Sequence, residues 1–391
     1  MTDNFDNWDD DIEEDLQTTL EELEFANITS RDWTVETIIS QVNKGNIDLY
    51  PKFQRRNAWT DKRRSLLIES LIVGMPVPEI VLAENPKKKG SFIVIDGKQR
   101  LLSIVGFIES RNKDYQFWDR PMLKGLGLRG DLNKFTYEDL ERNPKFGDDV
   151  KRLLNQGIRC TIITNLKSDL PLYTIFYRLN TSSVPLSTQE LRQVLNKGPF
   201  ADYLIDATET PQLLHEVMGT TGPDNRLRDA EIILRFMSIV LYGNKYKSNL
   251  KVFLDESMED INDNWDSYQN KVEGLYKRFN KAITLLCDVF GAEKVGRKFI
   301  DGEWETRFNK VLFEVEVYYF MELLKQDISD SDVREKFVVA FQKLCDKDRE
   351  FRDSIESSTK TVERYEIRFS SFRELMKKFF KGKDFDIPVR R

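Results

Sequence analysis

The 391-residue sequence predicts an α+β fold in its first half and a mainly α-helical domain in its second. Two patterns carry that prediction. Between Trp33 and Leu204, short apolar runs of strand length alternate with stretches whose apolar residues return every three or four positions. Beyond residue 205 the rhythm is helical almost throughout, in "RDAEIILRFMSIVLYG", "WDSYQNKVEGLYKRFNKAITLLCDVFG", "TRFNKVLFEVEVYYFMELLKQ" and "SDVREKFVVAFQKLC". A hydrophobic content of 40% over this length is enough for two compact cores and excludes a wholly disordered chain.

Residues 1–30 form an acidic N-terminal segment with eleven Asp or Glu and no Lys or Arg. Ile12, Leu16, Leu20 and Leu23 recur there at helical spacing, so a docking helix and a solvating tail are both open readings. A helix is predicted over Val35–Asn43, and "NKGNIDLYP" then turns the chain into "KFQRRNAWT". The next helix spans Asp61 to Val73 and is stopped by Gly74 and Pro76. Two strands follow, "EIVLAE" and "SFIVI", separated by the lysine-rich turn "NPKKKG". After the corner Asp96-Gly97-Lys98-Gln99-Arg100 comes a helix with Leu101, Leu102, Val105 and Ile108 buried. A strand from Cys160 to Thr164 precedes a helix with Leu172, Ile175, Phe176 and Leu179 on one side. Ser187 opens the last helix of this half, with Glu190 completing a capping box and Gly198-Pro199 closing it. The organisation read from these signals is 1–30 acidic segment, 31–205 mixed domain and 206–391 helical domain.

Composition narrows the function. The net charge is −6, and setting aside the eleven acidic residues of the N-terminus leaves +5 for the rest. Basic residues bunch at Arg55-Arg56, Lys62-Arg63-Arg64 and Lys87-Lys88-Lys89, patterns that suit phosphates or a solvated surface. Cys160, Cys287 and Cys345 are far apart and His215 is the sole histidine, which leaves no Cys/His zinc site to build. No apolar run approaches the roughly 18 residues that span a bilayer, so a cytoplasmic, membrane-free protein is expected.

The corner at residues 96–100 is the chemical focus. A strand that ends in Asp-Gly and turns into a helix presents the first amides of that helix and the positive end of its dipole, an arrangement that attracts anions. Gly97 lets a phosphate approach without a Cβ, Lys98 and Arg100 add positive charge, and Asp96 suits a Mg²⁺ held against that phosphate. The structural alternative makes Asp96 an N-cap and Lys98, Gln99 and Arg100 solvated first-turn residues. The GxxxxGK[ST] phosphate loop is absent from every predicted strand-to-helix turn.

Four stretches in order, "YPKFQRRNAW", "LIESLIVGMPVPEIVL", "FIVIDGKQRLLSI" and "FYRLNTSSVPLSTQELRQV", resemble the N-terminal domain family of GmrSD-type modification-dependent restriction enzymes over roughly residues 33–205. The resemblance implies a ParB/sulfiredoxin-like fold and a DGQQR-type motif for binding and hydrolysing a nucleoside triphosphate with Mg²⁺. That motif is matched here by Asp96, Gly97, Lys98, Gln99 and Arg100, with lysine in place of the first glutamine. Asp96, Gln99 and Arg100 thereby become catalytic candidates, with Asp96 also the metal ligand. Gln54, Arg55, Gly97, Lys98, Arg178 and Asn180 are the nucleotide-binding candidates. Trp59 is read as a packing anchor, Asn180 equally as a helix terminator.

Full-length enzymes of that family add a His-Asn-His nuclease domain, which a chain with only His215 cannot supply. The leading expectation is therefore a nucleotide-hydrolysing regulatory module of a restriction-type, anti-phage system. It would act on DNA directly or through a nuclease partner, and would be able to self-associate. Three alternatives stay open: a non-hydrolysing nucleotide switch, a metal-dependent nickase using Asp96, Asp229 and Glu231, and an inhibitor whose acidic segment imitates DNA.

Overall fold

The computed structural model describes residues 26–388 apart from 48, 50–58, 86–87, 113–117, 119–120, 167–174, 176–186 and 357–358. The chain divides into two compact units, one ending at Leu195 and one that includes Asn196–Arg391.

The first unit is built on a four-stranded sheet of order β1-β4-β2-β3. β1 (Asn27–Thr34) runs antiparallel to β4 (Gly157–Thr164), which is parallel to β2 (Ile80–Asn85), and β2 is antiparallel to β3 (Lys88–Asp96). Ile80 and Leu82 face one side of β2 while Val81 and Ala83 face the other, and all four are buried. Burial on both faces explains why this strand reads as a continuous apolar run rather than an alternation. β1 begins inside the stretch that composition assigned to the acidic segment. Its residues are mostly exposed and polar, so only pairing with β4 from Asn27↔Thr164 to Thr34↔Gly157 defines it as a strand.

The helices of this unit have local causes. α1 (Val35–Asn43) is capped by the Thr34 hydroxyl, which accepts from the Thr37 amide at 3.1 Å. α2 (Asp61–Val73) is capped by Thr60 and ends at Gly74, whose φ of 78° is left-handed. α3 (Lys98–Ile108) follows the corner, and α4 (Tyr137–Arg142) and α5 (Gly147–Asn155) precede β4. Ile38, Ile68, Leu71, Leu101, Val105 and Leu153 pack with Leu82 and Ile162 in one core. Within this core's polar margin, Glu69 of α2 accepts the amides of Gly127, Leu128 and Arg129, and Arg129 forks onto Asp149 of α5 at 2.6 and 2.9 Å. These bonds hold the connection between α3 and α4 against α2 and α5.

α6 (Thr188–Leu195) ends the first unit. Gly198-Pro199, expected to close a helix, does follow the end of α6 and also opens the next one: Pro199 is the first residue of α7 (Pro199–Asp206), a position where its missing N–H costs nothing. The second unit continues with α8 (Leu213–Met218), α9 (Arg228–Tyr242), α10 (Leu250–Asp263) and the long α11 (Trp265–Phe290). A two-stranded ribbon, β5 (Phe299–Ile300) with β6 (Glu303–Trp304), leads to α12 (Lys310–Phe320), α13 (Ser331–Lys347), α14 (Arg349–Glu356) and α15 (Val362–Phe379). Its core is aromatic: Phe236 meets Phe279, Phe337 meets Phe320, and Tyr319 stacks on Phe372 at an interplanar angle of 9°.

Candidate functional site

β3 delivers Asp96 opposite Val81, and Gly97 then turns the chain into α3 with φ 92° and ψ 7°. That left-handed conformation favours glycine, and space enforces it a second time. A Cβ at Gly97 would lie 3.0 Å from Ile80 Cγ1, 3.2 Å from Ile80 Cα and 3.2 Å from Arg100 Nη2. Gly97, not Asp96, is the N-cap, and its carbonyl accepts the Leu101 amide at 3.0 Å. The N-cap reading of Asp96 therefore gives way to a different role.

That role is a bond to Arg100. Arg100 Nη2 donates to Asp96 Oδ2 at 2.8 Å and to the main-chain carbonyl of Glu79 at 2.9 Å. The guanidinium thus ties the end of β3 to the residue preceding β2. Its side chain is 13% exposed against 33% for Asp96, so the carboxylate is the more open partner. Arg100 Nε is buried with no hydrogen-bond partner. Glu79 was not visible in the sequence as part of this corner, because it contributes a carbonyl; its carboxylate accepts from Thr161 Oγ1 at 2.8 Å.

Lys98 and Gln99 are not the solvated first-turn residues of the structural alternative. Lys98 is buried, and burial pulls its ammonium down to about pKa 7 against the opposing pull of the Glu190 carboxylate. Glu190 completes the predicted capping box: Glu190 N donates to Ser187 Oγ at 3.1 Å, and the Ser187 amide donates back to Glu190 Oε2. One carboxylate therefore caps α6 and faces the lysine of the corner. The Gln99 carbonyl accepts from Ser103 Oγ at 2.7 Å.

Gln54, Arg55, Arg178 and Asn180 lie outside the described residues, as do Arg56, Lys87 and the helix expected around Leu172–Leu179 except Ile175. Trp59 packs on the edge of the core and carries the Arg63 guanidinium 4.3 Å above its ring. Arg64 is buried, so Lys62-Arg63-Arg64 is not one basic surface.

In the second unit His215, Asp229 and Glu231 are absorbed by structure. His215 Nδ1 accepts the Gln212 amide at 3.0 Å, and Nε2 lies 3.0 Å from Asp229 Oδ2, which calls for the Nε2–H tautomer. Asp229 also accepts the amides of Asp224 and Ala230, and Glu231 pairs with the buried Arg235 beside Glu314. Among the described residues no group of three or more His, Cys, Asp or Glu side chains is placed to hold a metal.

The corner brings together a helix N-terminus, an arginine and a lysine, groups that can meet an anion, while the missing Cβ of Gly97 makes room for Ile80. Its donor set also suits Mg²⁺ in one respect. Asp96 Oδ1 is not engaged by Arg100, and Mg²⁺ commonly takes one protein carboxylate and completes its shell with phosphate oxygens and water.

No curated protein and no solved structure matches this chain. The family model described as the GmrSD restriction endonuclease N-terminal domain matches residues 35–195, the segment that contains the corner with Glu79 and Glu190. Also, no helix among the described residues is long and apolar enough to cross a membrane. Over residues 35–195 this chain is therefore similar to the GmrSD restriction endonuclease N-terminal domain.

Proposed function

We propose that this domain binds a nucleoside triphosphate with Mg²⁺ at Asp96–Arg100 and hydrolyses it, as the regulatory module of a restriction-type, anti-phage system. The single observation that supports this most is the left-handed, Cβ-free turn at Gly97, which puts the start of α3 beside both Asp96 and Arg100. Phosphoryl transfer asks mainly for positioned charge. Arg100 would stabilise charge on the transferred group, Gln99 would orient the attacking water, and Lys98 with Gly97 would frame the phosphates. Gln54, Arg55, Arg178 and Asn180 are proposed to complete the nucleotide site. When bound, Mg²⁺ supplies charge neutralisation on the phosphates, with Asp96 as its protein ligand. A ParB/sulfiredoxin-like fold, DNA as the final target, nuclease activity on a partner polypeptide, self-association and a cytoplasmic location belong to the same proposal. Phosphate release from each of the four ribonucleoside triphosphates tests it. Activity that survives Asp96→Ala with Arg100→Ala removes the site.

The bond between Arg100 and Asp96 favours a second reading, a nucleotide switch without turnover, since an arginine already engaged is poorly placed for the transferred group. Nucleotide-dependent protection against heat unfolding with no phosphate released would select it.

A further inference from the structure

The corner contains its own competitor for phosphate. Arg100, the residue best suited to grip an anion, is held by Asp96 Oδ2 at 2.8 Å and by the Glu79 carbonyl at 2.9 Å, and Asp96 is the more exposed member of the pair. A free polyphosphate approaching this corner meets a carboxylate first and an arginine whose charge is already balanced. It gains little and is repelled. A polyphosphate carrying a divalent cation meets the same carboxylate as a ligand.

We infer that the Asp96–Arg100 pair is a metal-operated latch that makes the corner accept a divalent-metal complex of a polyphosphate and refuse the free anion. The inference rests on the nucleotide reading of this corner and adds the ionic form of the ligand to it. Engaging the carboxylate with the cation weakens its hold on Arg100. The guanidinium then keeps its anchor on the Glu79 carbonyl and turns its remaining donors, the unpartnered Nε among them, to the phosphate oxygens. The short tether sharpens the effect: Asp96 and Arg100 are one helical turn apart across Gly97, and a Cβ at Gly97 would sit 3.2 Å from Arg100 Nη2.

The test is calorimetric binding of the β,γ-imido forms of the four ribonucleoside triphosphates to the full chain, in excess Mg²⁺ and in EDTA. The wild type should bind with Mg²⁺ and lose binding at least about tenfold in EDTA. Asp96→Asn, which keeps the shape but removes the charge, should reverse the pattern: binding in EDTA at least about tenfold tighter than wild type, with little gain from Mg²⁺. Adding Arg100→Gln to that variant should erase the gain. Asp96→Ser replaces the asparagine variant if its melting curve shows that it does not fold. Equal wild-type binding with and without Mg²⁺, or a folded Asp96→Asn protein with no gain in EDTA, overturns the latch while leaving the nucleotide site standing. Absence of wild-type binding under every condition overturns both.

Discussion

Gly97 and Ile80 are in contact across the corner so closely that no side chain fits between them: a Cβ on Gly97 would stand 3.0 Å from Ile80 Cγ1 and 3.2 Å from Ile80 Cα. Because Ile80 is the first residue of β2 and is 1% exposed, the neighbour cannot swing away into solvent. Gly97→Ala should therefore cost about 1–3 kcal/mol of stability through backbone strain and crowding together. Urea unfolding measures it, and a loss below a few tenths would show that the turn relaxes freely.

Lys98 makes the stability of the first unit depend on pH. Its folded pKa of about 7 lies below the ordinary 10.5 because burial penalises the charged form. Between those two values the unfolded chain binds more protons than the folded one, so stability rises with pH through that window and is lost as pH falls through the folded pKa. Hydrogen exchange of peptides from α3, followed from pH 7 to pH 10 with intrinsic rates corrected, should show rising protection. Lys98→Gln should flatten the slope, and an unchanged slope would assign it to another group.

Glu316 sets the opposite slope in the second unit. It is fully buried on α12, accepts the Gly296 amide at 2.8 Å, and desolvation pushes its carboxyl up to about 8 from 4.5. The folded state binds the extra proton between those values, so the contribution is complete below pH 4.5 and disappears as pH rises through about 8. Glu316→Gln keeps an acceptor for Gly296 and removes the charge. It should stabilise the protein by roughly 1–3 kcal/mol at pH 8 and by much less at pH 5. Paired denaturant titrations at the two pH values decide this; equal effects would refute it.

Asn262 caps a helix other than its own. Its Oδ1 accepts the amides of Phe200 and Ala201 at the start of α7, while its Nδ2 donates to the Asn196 carbonyl. Gly198, the N-cap position, has no side chain for the task, and a Cβ there would collide with Asn262 Oδ1 at 2.4 Å. Asn262→Ala should cost about 1–2 kcal/mol, the worth of a good N-cap, and Asn262→Asp should retain most of it. Thermal melts of the two variants compare directly.

Local chemistry determined much of this protein from sequence alone. Gly74 ends α2 where its φ preference puts it, and the Ser187–Glu190 capping box forms as its spacing requires. The same holds for the continuous apolar runs of β2 and β3 and for the helical rhythm beyond residue 205. Tertiary structure decided what depends on partners distant along the chain. The polar, exposed residues Asn27–Thr34 become a strand only because β4 offers them a hydrogen-bonded edge. Gly198-Pro199 starts a helix because Asn262 reaches its amides. Lys98 is buried against Glu190, and Arg100 answers to Asp96 and the Glu79 carbonyl. The reason is physical: a cap or a turn is settled within four residues by sterics and one hydrogen bond. The burial of a charge, and the choice of its counter-charge, are set by whatever the rest of the fold brings beside it.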